Sequence, residues 1–76
     1  MATLVVTPGT GGIAISVAQL VGAEHIRETG WGSPVYADNL SLEDALSAKE
    51  LMEEALAERE QNDDPFPFAL TITVEG

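Results

Sequence analysis

Glu43, Glu50, Glu54 and Glu58 recur at intervals of seven, four and four residues, within a stretch that also carries Asp44, Glu53 and Glu60. Carboxylates at such spacing can work as general acids and bases, ligate a hard cation, or present charge to a basic surface. Nothing around them supports the first two uses. His25 is the chain's one histidine and there is no cysteine, so a metal centre would need carboxylates alone. Asp63 and Asp64 stand together before Pro65, but a calcium loop needs acids at alternate positions over twelve residues and a terminal glutamate. Serine, histidine and aspartate occur without a nucleophile elbow, so no nucleophilic triad is expected. The chain is expected to be non-enzymatic, with neither metal nor cofactor.

The third use fits the composition. Thirteen acidic residues face three basic ones over 76 residues, a formal net charge of -10 at pH 7. A surface of one sign repels nucleic acid and anionic membranes, and it attracts basic partners at rates that fall with salt. A positively charged protein groove is the partner this charge selects. Apolar residues make up 45 % of the chain, which argues for a folded domain rather than an acidic disordered tail. A chain this short buries one core, so residues 1–76 read as a single domain. The longest apolar stretch, residues 13–23, is interrupted by Ser16, Gln19 and Gly22 and is too short to span a bilayer. With no basic segment ahead of its first apolar residues the N-terminus does not read as a signal peptide, and the lack of cysteine fits a reducing setting, so the protein is expected to be soluble and cytoplasmic.

The elements that would hold the carboxylates follow from periodicity. Residues 3–7 (TLVVT) are β-branched, residues 8–12 (PGTGG) form a turn cluster, and residues 13–20 (IAISVAQL) alternate large and small side chains. This pattern predicts a β-hairpin, with Ile13, Ile15 and Val17 facing the core of the second strand. Residues 21–34 lose periodicity and read as an irregular connection, and residues 35–38 (VYAD) as a third strand. Ser41 then suits an N-cap, with Asp44 at the third helical position. Leu42, Ala45, Leu46, Ala48, Met52, Ala55 and Leu56 mark the apolar face of a helix ending near Asn62. Phe68, Leu70, Ile72 and Val74 alternate with small or polar residues as a half-buried strand. The expected fold is α+β: a small antiparallel or mixed sheet of about four strands with one amphipathic helix on one face, in the order β-β-β-α-β.

On that helix Glu43, Glu50, Glu54 and Glu58 fall within about 80° of one another, opposite Leu42, Leu46 and Leu56, with Asp44 at the edge. Residues four apart lie about 6 Å apart along the axis, close to the step between successive phosphates of a nucleic-acid strand, so the stripe can imitate a backbone. Like charges at this spacing cost roughly 0.2 to 0.5 kcal/mol per pair. Leu51 points toward the acids, as the centre of an interface or as an ordinary exposed leucine. Trp31, between two glycines, is either a contact residue or a cap folded over the open sheet face. The candidate partner-binding residues are therefore Trp31, Glu43, Asp44, Glu50, Leu51, Glu54, Glu58, Asp63 and Asp64.

Three resemblances bear on function. Residues 3–25, TLVVTPGTGGIAISVAQLVGAEH, are similar to the cofactor-binding turn of medium-chain dehydrogenases, in which a strand, a Gly-x-Gly-Gly turn and a helix cradle a pyrophosphate. That motif works within a βαβ unit followed by an acidic ribose ligand, whereas residues 26–34 read as a glycine-rich loop. A glycine-rich hairpin turn is the expectation at Gly9, Gly11 and Gly12. Ser41-Leu42-Glu43-Asp44-Ala45-Leu46 and Pro65-Phe66-Pro67 resemble, in layout, HicB-type antitoxin domains, which would imply neutralising a small basic toxin. Many of them carry a DNA-binding module afterwards, which residues 1–76 are not expected to include. In size, acidity and lack of a catalytic signature the whole chain resembles phage-encoded anti-CRISPR proteins. That likeness implies an inhibitor of a multi-subunit effector such as Cascade in the bacterial host cytoplasm. Its acids would meet the lysines and arginines that hold DNA or guide RNA, with no direct nucleic-acid or membrane partner. Monomer and homodimer both remain open, because one helix leaves an apolar sheet face that a second copy could cover.

Overall fold

The β-branched run at the N-terminus forms the strand its composition favours, β1 (Ala2–Thr7). In the computed structural model, which describes residues 1–9, 11–28, 30, 33–65, 67 and 69–76, α1 (Gly11–Val21) follows, then a 3-10 turn (Ala23–His25). The remaining elements are β2 (Ile26–Glu28), β3 (Val35–Leu40), α2 (Leu42–Gln61) and β4 (Thr71–Glu75). The strands form one antiparallel sheet in the order β2-β3-β1-β4. The fold is α+β, and its β-α-β-β-α-β sequence is the split βαβ, or ferredoxin-like, arrangement.

The hairpin expected over residues 3–20 is not formed, because residues 13–20 belong to α1. The alternation in IAISVAQL also satisfies the helical period: Ile13, Ala14 and Val17 share one face and are buried, with Val21 packed beside them. Ile15, which the strand reading placed in the core, is 63 % exposed. Both sides of β1 are taken by β3 and β4, so no place beside it remains for a hairpin partner. Ser16 donates back to the Gly12 carbonyl at 3.0 Å, a bond made within a helix turn. Gly22 ends α1 at φ 101°, a conformation costly for residues with a Cβ. The connection expected to be irregular contains β2, whose Ile26, Arg27 and Glu28 pair with Ala37, Tyr36 and Val35.

Both helices cover one face of the sheet. Ala2, Leu4 and Val6 of β1 point into the core with Val35, Ala37 and Leu40 of β3 and Ile72 of β4. Inward residues on β3 switch from odd to even numbers because the pairing slips between Ala2 and Leu4. Asn39, at φ 61°, takes up the extra residue, and the bulge lets Leu40 face the helices. β3 therefore runs to Leu40, two residues beyond the expected end. β4 begins at Thr71 with Ile72 buried and Val74 half-buried, as its alternation predicts, and Phe68 lies outside the described residues. β4 is bonded on one side only, leaving it as an edge of the sheet.

Helix α2 starts where its cap predicts: Ser41 has extended backbone, and its hydroxyl accepts from the Asp44 amide at 3.1 Å. It ends at Gln61, with Asp63 in the left-handed region at φ 57°. Its core face is narrower than expected. Ala45, Ala48 and Met52 are buried and Leu56 is half-buried, whereas Leu42 and Leu46 are 57 % and 50 % exposed and Ala55 is exposed. Small residues let α2 lie close to the sheet, and Leu42 lies beside Gly76, just past β4. No helix among the described residues is long and apolar enough to cross a membrane.

Candidate protein-binding surface

Twenty residues of regular helix put Glu43, Glu50 and Glu54 on the side directly away from Ala45, Ala48 and Met52, with Glu58 beside them. All four are exposed. Each of the chain's three basic residues is already engaged elsewhere. Arg27 pairs with Asp38 at 2.7 Å, Lys49 reaches Glu53 at 3.7 Å, and Arg59 meets Asp64 at 3.4 Å. Among the described residues, none of these three pairs includes a stripe glutamate, which leaves the charge of the stripe open to an outside cation.

The other predicted residues separate in their roles. Asp44 is exposed near the start of α2, where its amide is held by the cap. Asp64 lies at the helix exit, its backbone carbonyl accepting from Arg59 Nε at 3.0 Å as its carboxylate pairs with the same guanidinium. Asp63 takes the left-handed backbone of the chain reversal, and both aspartates are exposed at the helix exit. Leu51 is 51 % exposed and does not project into the stripe alone: it lines the seam between α1 and α2. Trp31 lies outside the described residues.

Two features escaped sequence reasoning. The first is the seam itself, a groove of about 330 Å³ between the helices, which shares Leu20 and Leu51 with a second hollow of about 250 Å³ near His25. It became visible only once residues 11–21 were helical. The second is a polar cluster on the sheet face away from the helices. Arg27 Nε and Nη2 grip both oxygens of Asp38, at 2.7 and 3.3 Å, and Thr3 donates to the same carboxylate at 3.2 Å. The guanidinium carbon also sits 4.2 Å from the centre of the Tyr36 ring. Hydrogen bonding from Arg27 holds the Asp38 carboxyl below the usual carboxylate range and raises the Arg27 guanidinium in turn. His25 directs Nδ1 to the Asp38 carbonyl at 2.8 Å, and because a carbonyl only accepts, Nδ1 carries the proton.

The glycine-rich turn does join a strand to a helix, as the dehydrogenase likeness requires and the hairpin expectation did not. Its next strand differs. β2 pairs with β3, which separates it from β1, so the two parallel strands that flank a dinucleotide are not neighbours. Gly9 has a packing reason of its own: a Cβ there would overlap the Ser33 carbonyl oxygen. Among the described residues no group of three or more histidine, cysteine or acidic side chains is placed to hold a metal ion. Comparison with family models, with curated proteins and with solved structures finds no match.

Proposed function

We propose that the protein is a non-enzymatic inhibitor that occupies a basic, nucleic-acid-holding surface of a partner protein, with α2 standing where the phosphate backbone would lie. The observation that carries this reading is the commitment of Arg27, Lys49 and Arg59 to acids off the stripe, which leaves Glu43, Glu50, Glu54 and Glu58 exposed together. Occupation by charge and bulk requires no turnover, and electrostatic complementarity of this kind acts strongly on encounter rate and partner choice. The likeness to anti-CRISPR proteins makes the DNA-holding subunits of a CRISPR effector, in the bacterial cytoplasm, the first partners to test.

Capture from host lysate on the immobilised protein should retain a nucleic-acid-binding protein that added duplex DNA displaces. The variant carrying Glu50→Lys, Glu54→Lys and Glu58→Lys should retain none of it while keeping its helical circular dichroism. Undiminished capture by that variant removes the stripe from the mechanism. The free edge of β4 favours a second reading, an antitoxin-type module that plugs a small basic toxin through strand addition. An adjacent small basic toxin gene favours that module, and surrounding phage genes favour the inhibitor.

A further inference from the structure

We propose that the seam between α1 and α2 is a docking cleft for a basic amphipathic helix of the partner. The proposal rests on the reading of this protein as a binder of basic surfaces and adds how the partner is held. Leu20 and Leu51, 42 % and 51 % exposed, line both hollows, and Ile13, Met52 and Leu56 line the larger one. The larger hollow is thus a mainly apolar trough on the surface. Its two rims differ in charge. α1 contributes Ser16 and Gln19 and has no charged residue along its length, whereas α2 contributes Asp44 to the smaller hollow and Arg59, paired with Asp64, to the larger one, with Glu54 and Glu58 outside the lining but within about two turns of Leu51. An occupant is therefore asked for apolar side chains along its centre and lysines or arginines on one flank.

The backbone chemistry of the trough selects a helix. Two facing helices offer few free amides or carbonyls, so an extended peptide would lose backbone hydrogen bonds to water without replacement, while a helix satisfies its own. The eleven residues of α1 set the usable length at about 16 Å, or three helical turns. A second copy of this chain is a poor occupant. It carries a net charge of -10, and each of its three basic residues is already paired.

The test uses the full chain and a fluorescent peptide of leucine and lysine, patterned as an amphipathic helix about three turns long. Binding should weaken roughly tenfold or more in the Leu20→Ser, Leu51→Ser double variant, because burial of two leucines is lost. Both side chains are exposed, and unchanged circular dichroism checks that the fold is intact. Independently of any variant, the peptide should shift the backbone amide resonances of residues 16–20, on the uncharged rim. A peptide that does not bind overturns the cleft. So do full affinity in the leucine variant and resonance shifts confined to α2. If Glu54→Lys with Glu58→Lys still weakens binding in that case, the acidic-surface reading survives without the cleft. If neither the leucine nor the charge variants weaken it, both readings fall.

Discussion

Asp38 is the residue where this acidic chain uses charge internally. Its carboxylate takes two bonds from Arg27 and one from Thr3, so it joins β1, β2 and β3 across the open sheet face. Because its proton affinity is depressed in the folded state, its contribution is present above the unfolded carboxylate range and is lost as pH falls through the lower, folded value. Urea unfolding of wild type and Asp38→Asn should therefore differ most near neutral pH, with the gap closing under acid. A gap that stays constant with pH would show that Asp38 acts through shape alone. The stripe glutamates were legible in the sequence because side chains on the outer face of a regular helix are placed by period alone. Asp38 was not, since Arg27 and Thr3 meet it only after distant strands pair: Thr3 is 35 residues away in the chain.

At the level of elements, α2 announced itself through Ser41 and its apolar period, and β4 through strict alternation. α1 did not, because Ile13 and Val17 fit both a two-residue and a helical repeat, and the choice between them was made elsewhere, by strands that fill both sides of β1. The interhelical groove was hidden for the same reason. Substitutions read the difference directly. Ile13→Ala, at a buried position, should cost about 2 to 5 kcal/mol in chemical denaturation, whereas Ile15→Ser should stay within about 0.5 kcal/mol of wild type. Equal losses at the two positions would restore the strand. Ser41→Ala should cost about 0.5 to 2 kcal/mol through the lost bond to the Asp44 amide, and no loss would mean the cap is replaced by solvent.

For the molecule as a whole, a net charge of -10 works against compactness while it favours encounter with basic partners. Salt should therefore have opposite effects on two measurements. Raising ionic strength from low to physiological should increase the melting temperature by screening self-repulsion, and it should slow association with a basic partner by screening attraction. A melting temperature that falls with salt would place the net electrostatics on the stabilising side. The free edge of β4 gives the same charge a second duty. Strand edges with unpaired amides template the addition of further chains, and like charge is what keeps two such edges apart. Near the isoelectric point of about 4.1 that protection disappears. Acidification should accordingly bring on turbidity and sheet-type infrared absorption, and a proline at Thr73 should suppress them if β4 is where the first two molecules join.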